Sequence, residues 1–169
     1  MVDKAIRIVD DFLPSKKYSV LNQLMMGNNF PWFYNASVLT SSPGDNFQFI
    51  HGFYREGEIN STYFNVLNPL LIQEIKILSL IRAKANLTTR TNKVEEVKPY
   101  HVDYEGEKFK DSLTSILYVN TNDGYTKFEN GDMIESVSNK LVTFPTNMAH
   151  TSSTCTNSNV RIVIVLNYF

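Results

Sequence analysis

The chain has 169 residues, 43% hydrophobic and 20% charged, enough for one real core and too apolar for wholesale disorder. Sixteen basic residues against seventeen acidic ones leave a net charge of −1, which excludes the broad positive field behind non-specific nucleic-acid or membrane binding. No apolar run approaches the ~20 residues of a membrane span, and the single Cys155 excludes an internal disulfide. Residues 1–11 alternate charged and apolar side chains and contain no signal-peptide core. The expectation is a soluble, reduced, cytoplasmic protein of one domain over 1–169.

In chain order, Ile6, Ile8 and Val9 predict a short strand, broken by Asp10-Asp11-Phe12-Leu13-Pro14. Ser15 starts a helix with Tyr18, Leu21, Leu24 and Met25 at helical spacing, closed by Gly27-Asn28-Asn29. Phe30-Pro31-Trp32-Phe33-Tyr34 is an aromatic segment, and Phe47, Phe49, His51 and Phe53 alternate along a strand. Asn68 as cap, Pro69 in the first turn and Leu70, Leu71, Ile75, Leu78 and Ile81 on one face predict the clearest helix. A strand over 83–87 and a polar loop over 88–98 follow. Beyond Pro99 only strands are predicted, over 100–104, 113–120, 124–128, 133–137, 140–144 and 160–169, separated by turn residues such as Asn122-Asp123-Gly124 and Asn130-Gly131. Helices first and then a run of short strands give an α+β, mainly β protein built on a sandwich or barrel.

The three histidines are His51, His101 and His150. His101 and Asp103 stand two residues apart in a predicted strand, so imidazole and carboxylate leave the same face. His150, after the 140–144 strand and the Pro145 turn, is the candidate third ligand. Two neutral imidazoles and one carboxylate on one face of an octahedron leave three positions open, the arrangement of non-haem Fe(II) oxygenases. The helical H-E-x-x-H spacing of zinc hydrolases is absent. Taken singly, His-x-Asp is also a common pair on a surface strand, and His150 a common turn residue. Arg161, eleven residues beyond His150, opens the last apolar strand. A guanidinium facing inward there needs an anionic partner. A dicarboxylate would supply one, within reach of the Tyr118 hydroxyl; alone, Arg161 is equally a strand-end surface residue. His51 belongs either to the core or to a substrate cleft, and the 88–98 loop is either a lid or a solvated connection.

Together, His101-x-Asp103, Leu117-Tyr118-Val119-Asn120, Gly124-Tyr125-Thr126-Lys127-Phe128, His150 and Arg161 resemble the 2-oxoglutarate and Fe(II)-dependent oxygenases of the prolyl-4-hydroxylase-like branch. In wording and length the chain is similar to the small members encoded by bacteriophages, including cyanophages. Ile8-Val9-Asp10-Asp11-Phe12-Leu13, Phe30-Pro31-Trp32 and Arg82-Ala83-Lys84-Ala85-Asn86-Leu87 extend the likeness over most of the chain. The resemblance implies a double-stranded β-helix (a jelly roll, cupin-like) with N-terminal helices packed on one sheet. It implies metal ligands at His101, Asp103 and His150, and 2-oxoglutarate binding at Arg161, Tyr118 and Asn86, with Fe(II), 2-oxoglutarate and O2 as cofactors. Asp123 stands in place of the family's first glycine and Lys127 in place of an acidic residue, and neither is given a role. The implied reaction hydroxylates a C–H bond and releases succinate and CO2; the substrate is a peptidyl proline, another peptide or a small molecule. Two other readings remain open: AlkB-like oxidation of nucleic acid, and a non-catalytic jelly-roll binding or structural module. Against the first stand Asn167, where that pattern wants a second arginine, and the charge balance. Asp103 argues against chlorination, since halogenases of this type lack the carboxylate ligand.

Overall fold

The computed structural model describes residues 5–36, 47–97 and 99–169. Residues 1–4 of the N-terminal stretch and Lys98, the end of the loop expected over 88–98, lie outside the described residues. The elements are β1 (Arg7–Val9), α1 (Ser15–Met26), β2 (Phe33–Asn35), β3 (Gln48–Arg55), β4 (Glu58–Ile59), α2 (Phe64–Leu67), a π-helical turn (Asn68–Ile72), α3 (Gln73–Ile75), β5 (Leu80–Thr89), β6 (Leu113–Tyr118), β7 (Tyr125–Phe128), β8 (Met133–Glu135), β9 (Leu141–Pro145), β10 (His150–Ser152) and β11 (Val160–Tyr168). One eight-stranded sheet runs β1-β9-β6-β11-β5-β3-β2 with β4 on β3, and a three-stranded sheet runs β10-β7-β8. The strand pairs are antiparallel.

Alternation along the central strands divides their side chains between two layers. Ala83, Ala85 and Leu87 of β5 and Ile162, Ile164 and Leu166 of β11 join Leu21 and Met25 of α1 and Leu67, Leu71 and Ile72 in one core, which places the helices on one face of the large sheet. The opposite face carries Ile116, Tyr118, Val142, Phe144, Val163 and Val165, which pack on Phe128 of the small sheet. The Phe128 and Phe144 rings meet edge to face at 4.8 Å between centroids. α1 is tied down where the Tyr18 hydroxyl and the Asn22 amide both donate to the Val119 carbonyl at 2.8 Å. Among the described residues, no helix is long and apolar enough to cross a membrane.

Three sequence expectations are corrected. The second helix begins at Phe64 rather than after Asn68, and Asn68 and Pro69 sit inside it. An interior proline lacks a donor and crowds the carbonyl four residues back. The π-helical turn, in which the Gln73 N–H donates to the Asn68 carbonyl, widens the helix at that point. It ends at Lys76 in the left-handed region, leaving Leu78 93% exposed and Ile81 inside β5. Residues 100–104 do not form a strand; a single antiparallel bridge joins His101 to His150. Conversely, His150, expected after the Pro145 turn, and Thr151 and Ser152, to which no strand was assigned, form β10 against β7.

These corrections are open to measurement. Leu71→Ala, at a fully buried position, is expected to cost about 2–5 kcal/mol in urea unfolding. Leu78→Ser is expected to stay within about 0.5 kcal/mol of wild type. A large loss at Leu78 would restore the longer helix.

Candidate metal centre and cleft

His101 and His150 are brought together by backbone before side chains matter. Each donates its N–H to the other's carbonyl, at 3.0 and 2.9 Å, and the rings lie 4.6 Å apart. Asp103 is anchored by its own N–H to the Thr146 carbonyl at 3.2 Å. Ligand atoms of His101, Asp103 and His150 all fall within 4.8 Å of one another, so the same-face expectation is met without a regular strand. The group lines a cleft whose wall also includes Lys84, Asn86, Thr88, Thr126 and Arg161.

The Asp103 carboxylate is held at both oxygens. Oδ1 accepts from Arg82 Nη2 at 2.6 Å; Oδ2 accepts from Asn167 Nδ2 at 2.9 Å and from the Thr114 hydroxyl at 3.1 Å. Arg82 Nε donates to Asn167 Oδ1 at 2.9 Å, closing the network. Burial by itself pushes the Asp103 carboxyl up. The positive charge of Arg82, helped by His150, Lys84 and the Asn167 hydrogen bond, holds it well below the usual carboxylate range. Burial pulls His101 down to about 4 and lowers His150 as well. His150 Nδ1 lies 3.0 Å from the Met148 carbonyl, which can only accept, so Nδ1 carries the proton and Nε2 keeps its lone pair. His101 Nδ1 is buried without a hydrogen-bond partner. Two neutral imidazoles and one ionised carboxylate are the donor set of a divalent transition metal.

Arg161 is fully buried further along the cleft. Its Nε donates to Ser136 Oγ at 2.8 Å and its Nη2 to the Tyr125 carbonyl and Thr126 Oγ1 at 3.2 and 3.3 Å. No carboxylate pairs with it among the described residues. Gly124 makes room for it: a Cβ there would lie 2.7 Å from Arg161 Cδ. The Tyr118 ring lies beneath the guanidinium, 5.6 Å away, and its hydroxyl donates to Thr126 Oγ1 at 2.8 Å rather than entering the cleft. Thr126 Oγ1 thus accepts two bonds and has its own proton left to donate, a role sequence reading did not assign. Asn86 lines the cleft, and its buried Oδ1 and the neighbouring Thr88 Oγ1 have no partner.

Other candidates are structural. His51 lies on the core side of β3, its ring nitrogens on the Pro31 carbonyl at 2.7 Å and Ser61 Oγ at 2.8 Å. Asn120 holds the edge of β11, accepting from Ile162 N–H and donating to the Val160 carbonyl. Residues 91–97 are stitched to 152–155 through Thr91, Glu95 and Val97 N–H groups, which leaves no free lid there. The Cys155 thiol is buried, pushed up by burial, and bonded to the Ser158 carbonyl.

The depressed imidazoles give the metal-free protein a pH dependence. Near pH 6.5 and below, the unfolded histidines take up protons that folded His101 refuses until about pH 4. Stability therefore falls as pH drops through that window, by up to about 1.4 kcal/mol per pH unit for each histidine. Urea melts of metal-free protein from pH 7.5 to 4 are expected to show this slope, and His101→Gln to reduce it; an unchanged slope in the variant would refute the assignment.

No protein-family model matches the chain, and no curated protein is similar to it in sequence. Solved structures are similar over nearly its whole length. A 2OG-Fe(II) oxygenase family oxidoreductase from Burkholderia pseudomallei gives a TM-score of 0.66 at 8% identity, covering 96% of this chain and 84% of that one. A prolyl hydroxylase from Trichoplax adhaerens, solved with a peptide fragment of hypoxia inducible factor, gives 0.61 at 15% identity over 98% and 84%. The viral collagen prolyl hydroxylase of Paramecium Bursaria Chlorella virus-1, in its 2OG complex, gives 0.58 at 12% identity over 96% and 93%. At these identities the likeness is one of fold: this mostly β, antiparallel chain with helices on one face has the architecture that 2OG-Fe(II) oxygenases use.

Proposed function

We propose that the protein is an Fe(II)- and 2-oxoglutarate-dependent oxygenase on a double-stranded β-helix, hydroxylating a C–H bond of a peptide or small molecule with release of succinate and CO2. Peptidyl proline is the first substrate to try, given the peptide-bound Trichoplax structure. With the resemblance to small phage-encoded members, the proposed setting is a host cytoplasm. The observation that carries the reading is the convergence of His101, Asp103 and His150 in one cleft with Arg161, a buried cation that has no anionic partner among the described residues.

His101, Asp103 and His150 would hold the metal, which when bound supplies oxygen activation coupled to decarboxylation of the 2-oxo acid. Around it, Arg82, Asn167 and Thr114 keep Asp103 ionised and aimed, and the Met148 carbonyl fixes the His150 tautomer. Arg161 offers its planar guanidinium to the far carboxylate of 2-oxoglutarate, and the free Thr126 hydroxyl proton can join it. Tyr118 acts one step back, positioning Thr126 and supporting Arg161 from below. Asn86 Oδ1 and Thr88 Oγ1 present unpaired polar atoms along the same wall. Ile116, Val163 and Val165 supply the apolar lining that limits water.

Anaerobic addition of Fe(II) and 2-oxoglutarate is expected to give the weak visible charge-transfer band of the chelate, lost in His101→Ala. Absence of the band in folded protein would favour a non-catalytic jelly-roll module. Arg161→Ala is expected to weaken 2-oxoglutarate binding tenfold or more, from loss of a charge-assisted contact worth about 1.5–3 kcal/mol. Unchanged affinity in that variant would remove Arg161 from the cosubstrate site.

A further inference from the structure

One charged side chain in the cleft has no task in the chemistry just proposed. Lys84, in the middle of β5, lines the wall beside His101, Asp103 and His150. Its ammonium has no hydrogen-bond or ion-pair partner among the described residues, although its charge is felt at all three candidate ligands. On one side it stands across from Val165 of β11, which cannot neutralise it. On the other it stands across from Gly52 of β3, where an added Cβ would meet nothing within 4 Å. The sheet therefore leaves open space over Gly52 instead of filling it with a side chain that could neutralise the amine.

The charges of the loaded site sharpen the point; this step rests on the oxygenase reading. A divalent metal, Asp103, dianionic 2-oxoglutarate and Arg161 together sum to zero. Arg82 and Lys84 are then left in excess, and only Arg82 has a carboxylate in contact. A cation withdrawn from water without a counter-ion is costly. A substrate carboxylate placed in the open space removes that cost, and a neutral substrate does not. A phosphate would want several converging donors, whereas the Lys84 amine stands alone among the side chains of its row. We propose that Lys84 anchors a carboxylate of the primary substrate, so that the cleft selects an acidic substrate over its neutral amide. The carboxylate is either an acidic side chain in a peptide or that of a small free acid.

Wild type, Lys84→Gln and Lys84→Arg would be loaded with redox-silent Mn(II) and 2-oxoglutarate and titrated by calorimetry with two matched pairs. N-acetylproline against N-acetylprolinamide represents the free acid; N-acetyl-Asp-Pro-amide against N-acetyl-Asn-Pro-amide represents the acidic peptide. In one pair the carboxylate member is expected to bind about tenfold or more tighter in wild type, the gap shrinking to about twofold in Lys84→Gln and returning in Lys84→Arg. The pair that shows it identifies the source. Equal binding, or no binding, in both pairs overturns the inference, as does a preference that survives Lys84→Gln. A tenfold loss of 2-oxoglutarate affinity in Lys84→Gln also overturns it, by assigning the amine to the cosubstrate. Failure of wild type to bind Mn(II) and 2-oxoglutarate is a distinct result that removes the oxygenase reading and this inference together.

Discussion

Asp103 keeps its charge in a cleft where burial alone would neutralise it, because three neighbouring strands each bring one donor to its carboxylate. Arg82 of β5, Asn167 of β11 and Thr114 of β6 form a single cross-strand row: Asn167 is in register with Arg82 on one side and with Thr114 on the other. That row exists only while the register holds. A slip of one residue would turn all three donors toward the helices and turn Ala83, Leu166 and Ser115 toward the cleft. The apolar residues behind the sheet thus determine the ionisation of a carboxylate in front of it. Removing one donor would strand the others as buried polar groups, which is why the set works as a unit.

The same division of faces spaces the cleft along its length. On β11 the residues turned away from the helices are Arg161, Val163, Val165 and Asn167, and opposite them on β5 stand Thr88, Asn86, Lys84 and Arg82. Polar rows at both ends enclose a middle that mixes valines with Asn86 and Lys84. The small sheet closes over this surface with Phe128 and Thr126, one packing on Phe144, the other bonding Arg161 and Tyr118. Gly124, at the entry to that sheet, is confined to a glycine by close approach of Arg161, the Thr154 carbonyl and Asn122 Oδ1 rather than by backbone angle. Packing and site are therefore built by alternate residues of the same strands, and neither can be repacked without the other.

This explains what could be read from the sequence. Alternation made β3 legible, short apolar segments between turn residues did the same for β5, β6, β9 and β11, and His101-x-Asp103 with His150 stood out as chemistry. The geometry that joins them was less visible. Residues 100–104 carry a strand-like pattern, yet the chain is held by one bridge, from His101 to His150, and by the Asp103 N–H to Thr146, contacts made from more than 40 residues away in sequence. β10 was hidden because Thr151 and Ser152 look like loop residues; Thr151 and the following Ser153 are buried, the Thr151 hydroxyl donating to the Val97 carbonyl and Ser153 Oγ accepting from the Tyr125 N–H. The helix over 64–75 was misplaced because Asn68-Pro69 carries the chemistry of a helix start, and only the π-helical turn tolerates it inside. Arg82, Lys84 and Thr88 did leave a signal: every second residue is polar on a strand whose other face is Ala83, Ala85 and Leu87. Two-sided burial of a strand with one polar face marks a site, not a solvated edge.

The electrostatics of the cleft also fix how its occupants depend on one another. With both imidazoles neutral, Arg82, Lys84 and Arg161 outweigh Asp103, so a divalent ion arriving alone meets a positive surround as well as three ligands. In the proposed chemistry the dianionic cosubstrate cancels that excess. Its far carboxylate satisfies Arg161, and its charge offsets that of the metal. Each therefore favours the other, and the coupling is reciprocal by thermodynamic necessity. A cleft with its cations set apart along one wall and its single carboxylate fully committed is poorly suited to retaining a bare metal ion. In the proposed chemistry it takes a metal together with a dicarboxylate, the state in which oxygen activation would be useful.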